Sequence, residues 1–113
     1  MIELSFPWPP KELSPNARVH WATRAKAAKK YKTDCLLMCW TAGIHALYLD
    51  TYAISITFHP PSKRRADADN MLASFKSGLD AISDFTGIDD SNFTITFSKS
   101  TPVKHGAVKV VIA

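Results

Sequence analysis

An α+β fold, one mixed sheet of about four strands backed by two helices, is predicted by three features of this sequence. Apolar and polar residues alternate in four short stretches, the period of a half-buried strand. Between the first and second stretches, and again between the second and third, apolar residues return every three or four positions, the period of an amphipathic helix. The order is therefore β-α-β-α-β-β. It is carried by 113 residues that are 46% hydrophobic, which suits a single domain over residues 1–113 with one core and no metal or disulfide staple.

The first strand reads from Ile2 to Phe6 and stops at Pro7-Trp8-Pro9-Pro10, where the prolines remove ladder donors. A loop rich in turn residues follows to about Asn16. The first helix begins near Thr23. Ala28, Tyr31, Cys35, Met38, Cys39 and Ala42 form one apolar stripe along it, and Leu36, Trp40, Ile44 and Leu47 form a second. A helix apolar on two sides needs cover on two sides. The sheet supplies one cover, and either a larger core or a second copy of the chain supplies the other; in so short a chain a homodimer is the expectation. Cys35 and Cys39 lie four apart in this pattern with no second pair to complete a zinc site, and read as reduced core residues.

The second strand, Thr51 to Phe58, sets Tyr52, Ile54, Ile56 and Phe58 on one face and ends at His59-Pro60-Pro61. After Asn70, the residues Leu72, Phe75, Leu79 and Ile82 recur at helical steps, and Gly87 closes that second helix. Phe93 to Phe97 is a third strand with Phe93, Ile95 and Phe97 inward, and Ala107 to Ile112 is a fourth. Pro102 to Gly106 stands between them as the expected hairpin turn. No repeat, linker or low-complexity segment interrupts the chain.

A formal charge of +4 favours an acidic partner, of which nucleic acid is the commonest. The cations cluster between Asn16 and Lys32, at Arg18, Arg24, Lys26, Lys29, Lys30 and Lys32, with His20, Trp21 and Tyr31 interleaved. Such a stretch can follow a phosphate backbone without reading bases, or it can be an ordinary solvated helix face. Trp21 suits stacking on an unpaired base, or burial in a core or interface. No apolar run approaches the ~20 residues of a membrane span, and Met1-Ile2-Glu3 lacks a basic signal-peptide start, so no membrane association and a cytoplasmic location are expected.

The densest chemistry lies between Lys63 and Asp90. Lys63-Arg64-Arg65-Ala66-Asp67-Ala68-Asp69-Asn70 leads into the second helix, which carries Lys76, and Gly87-Ile88-Asp89-Asp90 follows it. Asp67 and Asp69, two residues apart in an extended segment, share one side and can converge on a hard cation such as Mg²⁺. Alternatively, one of them caps the helix, a task for which a single Asp suffices. An EF-hand is excluded, because Met71 and Leu72 stand where a ligand and the turn glycine belong. Lys76, seven residues after Asp69, falls about two helical turns on at about 3.6 residues per turn and so on the same side. It is either a partner of the acids or a solvated helix lysine. Of the scattered histidines, His59 lies nearest.

These residues resemble the RusA family of Holliday-junction resolvases, small endodeoxyribonucleases often carried by phages and prophages. The resemblance rests on Arg65-Ala-Asp67-Ala-Asp69-Asn70, the helix lysine, Leu79-Asp80-Ala81, Ile88-Asp89-Asp90 and, weakly, Pro9-Pro10; it runs from about Phe6 to Lys99. It implies catalytic, metal-ligating acids at Asp67, Asp69 and Asp90, a catalytic lysine at Lys76 and one or two Mg²⁺ ions per site. It further implies a homodimer that cuts two strands of a four-way DNA junction in recombination and repair. Lys63, Arg64, Arg65, Arg18, Arg24, Lys26, Lys29 and Lys30 are the expected DNA contacts. In the best-known members the lysine comes one turn after the second Asp, where this chain has Ala73. Matching Lys76 instead keeps Leu79-Asp80-Ala81 in register. Two rival readings are a junction-binding module without cleavage and a metal-dependent nucleotide phosphohydrolase.

Overall fold

Alternation along the strands sorts the sheet into a core face and a polar face. The computed structural model describes residues 2–42, 52–63 and 67–112. Its strands are β1 (Ile2–Phe6), β2 (Tyr52–His59), β3 (Phe93–Lys99) and β4 (Ala107–Ile112); its helices are α1 (Trp21–Thr41), α2 (Ala68–Ser74) and α3 (Lys76–Thr86). Leu4, Phe6, Ile54, Ile56, Phe58, Val108, Val110 and Ile112 are buried on one face of the sheet, whereas Glu3, Ser5, Ser55, Thr96 and Lys109 are exposed on the other. Tyr31, Cys35 and Cys39 of α1, Met71 of α2 and Leu79 and Ile82 of α3 belong to the same core. This is the α+β domain that the periodicities predict.

The strand order is β1-β4-β2-β3, with β2 and β3 parallel and the other pairs antiparallel. The parallel pair needs a crossover, which α2 and α3 supply. The hairpin expected at Pro102–Gly106 is not formed, because β4 passes to the far side of β2 and pairs there, Ile56 opposite Val110. The connection is pinned across the end of β2: Ser100 N–H donates to Phe58 O and Val103 N–H to Pro60 O, both at 2.9 Å, and His59 Nδ1 lies 2.8 Å from Thr101 O. The physical reason lies in burial. Val108 and Val110 are fully buried and take a central position between two strands, while β3, whose Phe93, Ile95 and Phe97 are only half-buried, takes the edge.

The helix expected after Asn70 is divided at Phe75 (φ −89°, ψ 3°) and begins at Ala68. The Phe75 ring is fully buried, with centroids 5.6 Å from Phe6, 6.2 Å from Phe58 and 6.3 Å from Tyr31. Packing of that ring outweighs helix regularity at this one residue. As the spacing predicts, Gly87 ends α3 in the left-handed region (φ 75°), donating its N–H to Ser83 O.

Gly78 lies against the Phe75 ring: a Cβ there would stand 2.6 Å from Phe75 Cζ and 2.8 Å from Cδ1. Glycine in a helix ordinarily costs up to about 1 kcal/mol relative to alanine. Here the sign reverses, because the ring is held on three sides. Gly78→Ala is expected to destabilise the fold by about 1 to 2 kcal/mol through overpacking, measured as a lower urea midpoint at unchanged slope.

Helix α1 starts at Trp21, two residues before the expected position, because the His20 side chain caps it by accepting from Ala22 N–H at 3.1 Å. Of the first stripe, Tyr31, Cys35 and Cys39 are buried and Ala28 half-buried, but Met38 and Ala42 are exposed. Burial raises the Cys35 thiol to about 12 and the Cys39 thiol to about 11, so both are unreactive core residues. The second stripe also splits. Leu36 packs on the core, Trp40 is 71% exposed with its edge on Phe85, and Ile44 and Leu47 lie outside the described residues. An ion pair between Lys32 and Asp84 joins α1 to α3.

Candidate active site

Asp67 is the last extended residue before α2 (φ −81°, ψ 138°), so it occupies the N-cap position. Its carbonyl accepts from the N–H groups of Asn70 and Met71, yet its carboxylate makes no capping hydrogen bond. The side chain is thus exposed and not spent on the helix end, which the capping alternative required. Asp69 stands in the first turn of α2, also exposed, where the positive end of the helix tolerates an acid.

The loop after α3 returns the chain to the beginning of that helix. Gly87 turns the backbone, and Ser83 Oγ donates to Ile88 O at 2.6 Å. A 3-10 turn over Asp90–Asn92 follows, capped by Asp89, whose carboxylate accepts from Ser91 N–H at 2.9 Å. That bond holds the Asp89 pKa below its usual value. With Asp89 committed to the cap, Asp90 meets Lys76: Nζ lies 2.9 Å from Asp90 Oδ2 and 3.2 Å from Asp80 Oδ1. Hydrogen bonding to Asp90 first, and to Asp80, raises the Lys76 pKa, so the ammonium is charged across the neutral range.

The break at Phe75 changes what Lys76 faces. Continuous helix geometry directs it to the Asp67–Asp69 side, whereas the structure seats it as the first residue of α3 between Asp80 and Asp90. Asp80 entered the sequence reading only within a motif. Its spacing of four after Lys76 on a helix was the available signal.

The donor set suits a hard divalent cation in kind, because Asp67, Asp69 and Asp90 offer carboxylate oxygens and no soft ligand. The Lys76 ammonium occupies one oxygen each of Asp80 and Asp90. As the side chains stand, no three acidic, His or Cys groups among the described residues are gathered so as to hold a metal ion.

Of the expected DNA contacts, Lys63, Arg18, Lys26, Lys29 and Lys30 are exposed, with Lys30 also paired to Asp34 at 3.2 Å. Arg64 and Arg65 lie outside the described residues. Arg24 is committed elsewhere: its guanidinium donates to Ser14 O and Ala17 O at 3.1 and 2.9 Å and fastens the loop to α1. Trp21 is 75% exposed beside His20. A cavity of about 400 Å³ lies between Pro7–Pro10 and α1, with Trp8, Lys26, Lys30 and Tyr31 in its walls. A second, separate groove of about 250 Å³ lies between Trp8–Lys11 and Asn70, Met71 and Ser74 of α2. The two share Trp8 and Pro10 in their walls, the first reaching basic α1 and the second Asn70, Met71 and Ser74 of α2. Among the described residues no helix is long and apolar enough to cross a membrane.

No protein-family model matches the chain. Over 114 aligned positions it is 41% identical to an uncharacterized protein of Xylella fastidiosa (strain Temecula1), an alignment that takes in 98% of this chain and 74% of that protein. The chain belongs to the same family as that Xylella fastidiosa protein.

Proposed function

We propose that the protein is a Mg²⁺-dependent, structure-selective endodeoxyribonuclease of the RusA type that resolves four-way DNA junctions by paired phosphodiester hydrolysis. The observation that carries this reading is the 2.9 Å contact of Lys76 with Asp90 across 14 residues of sequence. Two residues matched separately to the family's motif meet in space, and the neighbouring Asp89 is occupied with capping.

In this reading Asp67, Asp69 and Asp90 hold the cation, and one or two Mg²⁺ ions supply Lewis acidity at the scissile phosphate. Lys76, charged across the neutral range, donates to a phosphate or leaving oxygen as negative charge develops there. Lys63, Arg18, Lys26, Lys29 and Lys30 engage flanking phosphates, so affinity falls steeply with salt. Trp21 stands exposed in the same basic stretch, where it can stack on a base unpaired at the branch point. A cytoplasmic location, with DNA at hand and both thiols reduced, belongs to the same proposal.

The test is nicking of a four-way junction beside a linear duplex of the same sequence, with Mg²⁺ and with a chelator. The proposal expects symmetric cuts in the junction only, and only with Mg²⁺. Binding without cutting would establish a junction-binding module, and hydrolysis of nucleotides with neither DNA cut would establish a phosphohydrolase.

Symmetric cutting calls for two sites, hence a homodimer. Leu37, Met38 and Trp40 form an exposed apolar surface at the end of α1, 58%, 38% and 71% exposed, which a second copy would cover. Trp40→Glu is expected to yield monomers that nick singly, with monomer stability within about 1 kcal/mol of wild type. Leu36 is unsuited to this test because it packs on its own core. Sedimentation velocity at micromolar concentration reads the outcome, and a wild-type monomer would refute the dimer.

A further inference from the structure

The cavity of about 400 Å³ between Pro7–Pro10 and α1 takes no part in the contacts around Lys76, and its walls are held in place. Tyr31 of α1 donates its hydroxyl proton to Pro7 O at 2.5 Å and so ties one wall to the other. Trp8 is half-buried, its ring edge-on to Phe58 at 6.2 Å, and Gly106 lies so close behind it that a Cβ there would stand 2.9 Å from Trp8 Cγ. Arg24 fastens the following loop to the helix through Ser14 O and Ala17 O. A cleft kept open by such contacts does not have to be ordered when it is filled, which lowers the cost of binding.

The lining is mostly apolar with a few charged groups, and the volume falls within the ~300–1,000 Å³ of small-molecule sites. Its charges divide into engaged and free. Lys30 and Asp34 pair with each other at 3.2 Å. Lys26 on α1 and Glu12 on the facing wall have no hydrogen-bond or ion-pair partner among the described residues. An aromatic ring, a free ammonium and a free carboxylate complement a planar base, a phosphate and an exocyclic amine. Lys26 is also flanked on α1 by exposed Lys29 and Lys30 in a chain of formal charge +4, so the field at the mouth of the cavity draws an anion. We propose that this cavity is a nucleotide-binding site: the base lies against Trp8, its exocyclic amine donates to Glu12, and its phosphate meets Lys26. Cytosine and adenine, which carry such an amine, bind ahead of thymine, which carries a carbonyl in its place. The occupant is a nucleobase with its phosphate, either a free nucleotide or an unpaired nucleotide of a strand. The inference goes beyond the nuclease reading and does not rest on it, since binding here involves neither a metal nor a cut.

The test follows the indole N–H resonances of the three tryptophans by NMR on the full chain, in the presence of a chelator, as dCMP, dTMP or deoxycytidine is added. The Trp8 signal, identified with Trp8→Phe, should move with dCMP at a Kd on the order of 0.1 mM, with dTMP binding about fivefold more weakly. Thr23→Phe, an exposed change in the cavity wall, should weaken dCMP at least about tenfold by filling the space. Lys26→Ala should weaken dCMP about fivefold and leave deoxycytidine, which has no phosphate, unaltered. Glu12→Gln should erase the preference for dCMP over dTMP. A short oligo-dC strand separates the two sources: tighter binding than dCMP assigns the site to a strand and equal binding to a free nucleotide, and either upholds it. A Trp8 signal that dCMP leaves unmoved, or moves equally in wild type and Thr23→Phe, would overturn the site. Decaproline binding more tightly than dCMP would make the cavity a peptide groove and overturn it as well. Junctions nicked by a protein that binds no dCMP would remove this inference alone, and dCMP bound as expected by a protein that nicks nothing would remove the nuclease reading alone.

Discussion

Asp90→Asn is expected to lower Mg²⁺-dependent junction nicking by about two to three orders of magnitude, with metal-free junction binding equal to or tighter than wild type. The substitution preserves size and shape. It removes the main partner of Lys76, 2.9 Å away, and, in the proposed reading, a negatively charged oxygen that would hold the cation. It also removes one unit of repulsion toward an incoming phosphate, which is why binding and cutting should part. Asp89→Asn provides the contrast. Asp89 caps the 3-10 turn through Ser91 N–H, and Asn is as good a cap as Asp, so nicking should stay within a few-fold of wild type. Mobility shift without metal and nicking with Mg²⁺ measure the two effects. A dead Asp89→Asn beside an active Asp90→Asn would contradict the geometry, and two active variants would remove Asp90 from the site.

Phe75→Ala should be the most damaging single change to stability, at about 3 to 5 kcal/mol. The ring is completely buried and meets Phe6 from β1, Phe58 from β2 and Tyr31 from α1, so its loss opens a cavity where three elements converge. Those partners belong to separate elements held by other contacts, and collapse into the space is limited. Against a typical total of about 5 to 15 kcal/mol, the loss is a large fraction of what keeps the chain folded. Phe75→Leu retains most of the volume and should cost about 1.5 kcal/mol or less, apart from the lost ring contacts. Urea denaturation at constant slope measures both. A cost for Phe75→Ala under about 1.5 kcal/mol would show that the core can close around the gap.

The parts of this structure that follow from period alone were legible in the sequence. β1 and β4 occupy the stretches their alternation marks, Gly87 ends α3, and the faces of β2 and β4 are buried as the pattern requires. What period does not carry is which strand lies beside which. Pro102 to Gly106 has the composition of a tight turn, but turn chemistry reverses a chain without determining what the next strand pairs with. The break at Phe75 was equally hidden, since that residue fits the helical stripe and only its ring partners, distant in sequence, demand the distortion. In the site, Asp90 could be linked to Lys76 only through family resemblance, because the turn that brings them together depends on the capping by Asp89. A count of cations likewise treats Arg24 and Lys26 alike. The first is bound to two carbonyls and the second faces solvent.

The central position of β4 has a consequence for how the chain acquires its shape during synthesis. Among the described residues, β1 pairs with no strand but β4, and about a hundred residues separate them. Translation therefore delivers β1, β2 and β3 well before the strand that unites them, and the sheet closes only after Ala107–Ile112 has left the ribosome. Until then β2 lacks its β4 partner along one backbone edge beside its apolar face of Ile54, Ile56 and Phe58, and β1 has no partner, the kind of surface that nascent-chain chaperones bind and that aggregates recruit. Closure across so long a loop makes folding slow for a domain of this size, and its rate should respond to changes in β4 more than to changes in the helices.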